Sequence, residues 1–544
     1  SPSKVGRGGN EETSVVEGPE QRVDVLGMAG RYHTFPHQIE DDYQIVEKVL
    51  GTGYNGVVRM AHRKGCVRAQ NFAIKAFKLT NIKGEKRAQL AAEVNVFLGM
   101  DHPHVARLFD VYETANALYL VMECLEGGEL FDRVTERKRF SEADASSSAR
   151  QMLLAVNYLH THGIVHRDLK LENFLYDFKD GDHLKLIDFG FSHVWEPNTT
   201  MASSVGTLPY MAPEVLHQRY TSKCDLWSMG VITFILLAGY MPFGGGEGEQ
   251  IACIKAGKWN KKPDRWAMIS ETAQDFVNKL IVVDPNERLS AEQALRHPYI
   301  AEWDRKREGA HINAVDNSIV DALQAFAEVS HFRRACLSVM AWSLTSEESA
   351  SVRDAFLAID LNKEGTITLN ELKQCLSDKI DITDAQVKPI FDAINVRQNE
   401  EIHYSEFLAA MMTSRIAMND DLLSTTFRRF DTDKSGYITT ANLLQVLGTN
   451  FAGADVSQLI KEAGFRDSGK ISYEEFIKYL KGGHCDTKLQ RATSRVIDES
   501  FLEERSRQVS SSSKNIVLHG GGPQSALQDV FLQAFEPAHL RRPA

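Results

Sequence analysis

His166-Arg167-Asp168-Leu169-Lys170-Leu171-Glu172-Asn173, followed downstream by Asp188-Phe189-Gly190, is the stretch on which the reading of this chain turns. A lone Asp in a loop is most often a turn former or a cap, so its company decides. Upstream, Gly51-Thr52-Gly53-Tyr54-Asn55-Gly56-Val57-Val58 lies between two strand patterns. Glycines at Gly51, Gly53 and Gly56 let a hairpin backbone close over nucleotide phosphates, where side chains would collide. Alone this pattern also fits a plain β-turn or a dinucleotide fold, but no helix follows it directly. Phe72-Ala73-Ile74-Lys75 then ends an apolar strand on a lysine placed for the α/β-phosphates, and Glu93 is placed one helix later to pair with it. Ala212-Pro213-Glu214 closes the series.

Together, and in this order, these segments resemble the eukaryotic protein kinase signature set across residues 43–300. Phosphoryl transfer needs positioning and charge neutralisation more than covalent chemistry, and the resemblance assigns roles on that basis. It implies that Asp168 accepts or orients the substrate hydroxyl proton, that Asn173 and Asp188 hold Mg2+, and that Lys170 neutralises the moving phosphoryl group. Lys75 and Glu93 form an ion pair whose making and breaking switches activity. Adenine is expected against Val58, Ala73 and the gatekeeper Met122, with Glu123 and Leu125 offering backbone hydrogen bonds. Glu214 with Arg288, and Asp225, read as structural supports. Asp168-Leu169-Lys170 and Thr207 resemble the serine/threonine class. Glu129 and Glu172 match acidic positions that in basophilic kinases contact Arg on the N-terminal side of the target. Arg167 goes with a phosphorylated activation loop, the candidates being Thr199, Thr200, Ser203 and Ser204, unless Glu196 supplies the charge.

Composition agrees with a large soluble enzyme. The 544 residues are 43% hydrophobic and 25% charged, too long for one core. The longest apolar run, Gly230–Gly239, is about half of a bilayer span, and no secretory signal is visible. The first residue is Ser, so an N-terminal lipidation signal stays open. Seven scattered cysteines without a CxxC pair argue for reduced thiols and against zinc. A net charge of −11 disfavours nucleic acid as a partner.

A repeat occupies the second half, with loops starting at Asp360, Asn395, Asp431 and Gly464. Asp360–Glu371 fits the calcium-binding EF-hand loop, with Asp360, Asn362, Glu364, Thr366 and Glu371 as ligand positions and Gly365 at the sharp turn. Asp431–Asn442 keeps Asp431, Asp433, Ser435 and Tyr437 but ends in Asn442, so weak calcium binding or none is expected. The second loop has Arg397 at a ligand position and Glu400 in place of Gly. The fourth has Gly464 and Arg466 at acidic positions. These two are expected to hold shape only, since a fixed cation inside the loop repels the metal.

A kinase followed by four EF-hands resembles the calcium-dependent protein kinases of plants and apicomplexan parasites, over residues 43–481. That resemblance implies ATP, Mg2+ and Ca2+ as cofactors, protein Ser/Thr substrates, and a junction that represses the kinase until calcium rearranges it. Ala325–Leu337 reads as one basic amphipathic helix whose Arg333-Arg334-Ala335 mimics a substrate in an acidic groove.

The expected architecture is an α+β bilobal kinase fold followed by an all-α calmodulin-like domain of two EF-hand pairs. Its expected segments are a flexible lead-in (1–40), the kinase domain (43–300), an autoinhibitory junction (301–345), EF-hand pairs at 346–415 and 416–482, and a partly disordered extension (483–544). A monomer in the cytoplasm is expected, with peripheral membrane association open. Three alternatives stand beside a calcium-regulated kinase. One is an active kinase with weak or no calcium dependence whose EF-hands are a docking scaffold. The others are a pseudokinase sensor, disfavoured by Lys75, Asp168, Asn173 and Asp188, and a kinase regulated by separate calmodulin, for which the built-in repeats leave no need.

Overall fold

The computed structural model describes residues 30–53, 56–65, 70–79, 85–188, 193–194, 206–302, 315–377, 382–412, 418–462 and 469–481. Apolar alternation along the first third of the chain builds a six-stranded sheet in the order β1-β5-β6-β4-β3-β2. Its strands are β1 (Tyr32–Thr34), β2 (Tyr43–Gly53), β3 (Gly56–Arg63), β4 (Asn71–Lys78), β5 (Leu108–Glu113) and β6 (Ala117–Glu123). Helix α2 (Glu85–Gly99) lies between β4 and β5 in sequence and packs on the latter.

Residues 30–40 depart from the expected flexible lead-in. β1 pairs in parallel with β5, and α1 (Ile39–Asp42) leads into β2. Arg31 explains the order: its guanidinium is buried, donates to the carbonyls of Leu98 and Leu108, and lies 4.3 Å over the Trp342 ring.

The second lobe is helical. α3 (Leu130–Arg137) is followed by α4 (Glu142–Thr161), which starts on the Ser141 cap and is buried along most of its length. The helix Lys223–Ala238 is buried on every side beyond its first residue, its mostly apolar sequence carrying Asp225 inward. Glu214 and Arg288 form a bidentate pair at 2.6 and 3.0 Å beneath it.

The junction is two helices, not one. Asn317–Ala327 stops, and Ser330 caps a new helix, His331–Ser343, by accepting from the Arg333 amide. The helix Ser346–Ile359 then enters the first EF-hand. The hands pair through short antiparallel strands, Ile367–Thr368 with Glu401–Ile402 and Tyr437–Thr439 with Lys470–Ser472. Junction and hands share one apolar core, to which Leu154 of α4 contributes. The EF-hand module therefore sits on the kinase domain against α4, β5 and the end of β6.

Candidate active site and calcium loops

Between the sheet and the helical lobe lies a cleft of about 560 Å³. Its lining includes Gly51, Val58, Ala73, Lys75, Met122, Glu123, Leu125 and Glu129, together with Glu93 and Asp188. Leu50, Leu175 and Ile187 complete its apolar walls and escaped the sequence reading, because an isolated aliphatic residue carries no motif. Gly53 and Gly56 pair at the tip of the β2–β3 hairpin, away from the cleft lining. Gly56 has φ 122°, a backbone open to glycine. A Cβ added at Gly51 meets nothing within 4 Å, so the roof has room for a phosphate chain.

At the back of the cleft Lys75 Nζ lies 2.6 Å from Asp188 Oδ1. The expected Lys75–Glu93 pair is not formed. Burial pushes the Glu93 carboxyl up, and Arg167 is the charge that opposes this. The lysine has exchanged one carboxylate for the other, which is the broken setting of the pair. Asp188 has φ 61° and Arg167 φ 71°, both strained for side-chain-bearing residues.

The strain at Arg167 is held by Asp225. Its two oxygens accept from the backbone amides of His166 and Arg167 at 2.9 Å, and His160 Nε2 lies 2.8 Å away. Burial alone would raise this carboxyl, but these bonds leave it below the usual range. With the loop fixed, Asp168 Oδ1 accepts from Thr207 Oγ1 at 2.7 Å and Oδ2 from Lys170 Nζ at 2.8 Å. Asn173 uses its amide nitrogen on the Asp168 carbonyl, 2.7 Å away. Its amide oxygen is the atom left for a cation, so Asn173 and Asp188 fit Mg2+ by donor type.

Beside this loop, Glu129 stands at the head of α3 with Asp132 and Glu172 near it. Burial, then those two carboxylates, push its carboxyl up. Glu172 Oε2 is buried without a hydrogen-bond partner. The activation-loop candidates Glu196, Thr199, Thr200, Ser203 and Ser204 lie outside the described residues.

In the first EF-hand loop the oxygens converge. Asp360 accepts from the amides of Glu364 and Gly365, and Asn362 Oδ1 also accepts from Glu364. Glu371 divides its carboxylate: one oxygen caps its helix at Thr368, the other accepts from Leu361 and Asn362 at 2.9 Å. Burial lifts Asp360 to about 7. A buried carboxylate pair of this kind fits Ca2+, which supplies the missing positive charge when bound. Thr366 is buried at the loop's seventh position.

The third loop repeats half of this. Asp431 accepts from Ser435 and Gly436, and Asp433 from Ser435; Tyr437 offers its carbonyl to Ser435 Oγ. Asn442 Oδ1 caps the helix at Thr439, as Glu371 does, but its Nδ2 faces Thr432 at 3.0 Å. A donor stands where the first loop has an oxygen. In the second loop Glu406 accepts from the amides of Arg397 and His403, and Glu400 takes φ 65° in place of glycine. Gly464 and Arg466 of the fourth loop lie outside the described residues.

The junction arginines do not occupy the substrate groove. Arg333 donates to the carbonyls of Tyr479 and Leu480 at 2.9 and 2.8 Å, and Arg334 to that of Ala327. The unpaired carbonyls at a helix C-terminus are a natural partner for guanidinium.

A family model for the protein kinase domain matches residues 43–300, and one for an EF-hand domain pair matches 350–412 and 420–481. Calcium-dependent protein kinase 34 of Arabidopsis thaliana is 35% identical over 448 residues, covering 81% of this chain and 84% of that protein. Calcium-dependent protein kinase 5 of Plasmodium falciparum is 33% identical over 455 residues, covering 82% and 79%. The chain belongs to the calcium-dependent protein kinase family. As a member it is a calcium-regulated serine/threonine kinase that uses ATP with Mg2+ and carries Ca2+ in its EF-hands. Among the described residues of this kinase no helix is long and apolar enough to cross a membrane.

Proposed function

We propose that this kinase phosphorylates Ser or Thr in segments with Arg or Lys on the N-terminal side, and that calcium acts through the first EF-hand. The observation that carries the substrate reading is the crowding of Glu129, Asp132 and Glu172, with Glu172 Oε2 buried and unpartnered. A substrate guanidinium relieves that repulsion and satisfies the oxygen. In this reading Asp168 orients the acceptor hydroxyl, Lys170 neutralises the transferring group, and Lys75 returns to Glu93 when Asp188 turns to Mg2+. A positional peptide array tests it: enrichment of Arg or Lys before the target residue is expected, reduced by Glu129→Gln and Glu172→Gln. A flat profile overturns it.

The calcium reading rests on the unequal donor sets of the first and third loops. The enzyme is further taken as a cytoplasmic monomer, with peripheral membrane association left open. Cys124, Cys224, Cys253 and Cys336 stand as thiols, and the face of the EF-hand module is already covered by its own kinase domain.

A further inference from the structure

The two middle EF-hands put cations where a calcium-binding module has no use for them, and both cations reach the kinase domain. Arg397 stands at the third position of the second loop, and its Nη2 lies 3.2 Å from Asp101 Oδ2. The same oxygen accepts from the Ser405 amide at 2.9 Å and from Ser405 Oγ at 2.6 Å. Asp101 is fully buried and the Arg397 side chain 5% exposed. Tyr158 of α4 accepts from the Asp101 amide, fixing the kinase side of the contact. Nearby Asn157 Nδ2 donates to the Lys363 carbonyl of the first loop at 2.7 Å.

A second contact of the same kind lies nearby, with Arg31 within electrostatic reach of both pairs. Arg429, at the end of the helix entering the third loop, places two nitrogens 3.3 Å from the oxygens of Asp110 on β5. Asp110 also meets Arg63 at 2.7 Å. Burial would raise its carboxyl, yet these cations hold it well below the usual range.

The second loop keeps its shape through Glu406, whose two oxygens accept from the amides of Arg397 and His403. Those bonds are made by protein atoms alone. We propose that the second EF-hand is a calcium-independent clamp, in which Arg397 at a lost ligand position holds the EF-hand module onto the kinase domain through Asp101. Arg429 and Asp110 form the companion contact. A buried ion pair resists the loss of either partner, because the survivor is left uncompensated. The module therefore stays behind the hinge at low calcium, and calcium at the first hand works against a fixed background. This deepens the calcium reading given above, and rests on the first hand being the responsive one.

The full-length chain tests it by hydrogen exchange in chelator, with neither calcium nor substrate present, so that failure here leaves the substrate and first-hand readings standing. Wild type is expected to protect the amides of residues 101–107 and 404–411 without calcium. Arg397→Ala is expected to raise exchange there about tenfold while residues 223–238 keep their protection. Asp101→Asn, which keeps an acceptor for Ser405, is expected to do the same, and the double variant no more than either single one. Should Arg397→Ala not fold, Asp101→Asn alone gives the reading. Unchanged exchange in the single variants, additive effects in the double, or wild-type protection that needs calcium would each overturn the clamp.

Discussion

Ser346 Oγ donates to Glu123 Oε1 at 2.7 Å, joining the head of the first hand's entering helix to the hinge of the kinase. Lys185 Nζ lies 2.8 Å from both oxygens of the same carboxylate. Burial would raise Glu123, but Lys185 and Arg107 leave it lowered and charged. Glu123 itself lines the nucleotide cleft. The helix that begins the calcium loop thus ends, at its other extremity, on the wall of the ATP site.

Replacing Ser346 with Ala removes one hydrogen bond to a charged group while Lys185 remains. The expected cost is about 1 kcal/mol in hinge placement, read as a roughly fivefold rise in KM for ATP with kcat unaltered. Steady-state kinetics with ATP varied decides it. Equal KM values in the two proteins would mean that the contact stops at the surface of the hinge.

Asp168→Asn keeps the shape of the catalytic loop but loses the carboxylate that Thr207 and Lys170 share. Phosphotransfer is expected to drop by about 10²–10⁴-fold, with nucleotide affinity preserved when measured by calorimetry. Lys75→Met differs, since Lys75 faces the phosphate end of the cleft; both affinity and turnover should suffer. A variant at Asp168 that retains a tenth of wild-type turnover contradicts its assigned role.

Calcium titration separates the loops. Glu371→Gln is expected to weaken the first site by about tenfold or more, since a bidentate carboxylate becomes a single oxygen. Asn442→Glu is expected to create a second site, because Asn442 already makes the capping half of the Glu371 arrangement. The stoichiometry should rise from one to two. A wild-type count above one would show that Asn442 does not limit the third loop.

Three buried histidines should each support the folded assembly less as pH falls. His102, His104 and His403 are buried near the kinase–EF-hand contact, and burial, with neighbouring cations, lowers all three; His102 falls to about 3. The unfolded chain binds protons below about 6.5 that the folded one refuses, so stability is complete above that pH and lost as pH falls through it. One unit below 6.5 each histidine costs about 1.4 kcal/mol. Denaturant midpoints should fall a little from pH 7.5 to 6.5, where the unfolded histidines are half protonated, and further from 6.5 to 5.5. A midpoint at pH 5.5 equal to that at 7.5 would falsify this account.

Legibility in the sequence followed the range of each interaction. β2, β3, β4 and α2 could be drawn from local periodicity, and the catalytic loop from residues a few positions apart. Arg397 was readable as a bad ligand but not as a clamp, because its partner Asp101 lies 296 positions away. Ser346 and Glu123 pose the same difficulty, and so does the exchange of Glu93 for Asp188 at Lys75. The break at Ser330 was a local signal that the apolar spacing on either side concealed. β1 is too short to announce itself, and pairs only because β5 offers it a parallel edge.

Arg31 has a practical bearing on any fragment of this protein. It binds the carbonyl at the end of α2, the helix that carries Glu93, while stacked on Trp342 of the junction. A kinase domain cut out at Tyr43 keeps every catalytic side chain yet loses this arginine and the edge strand beside it. Its Glu93 helix is then untied at one end, and turnover measured on such a fragment belongs to a looser enzyme than the intact chain.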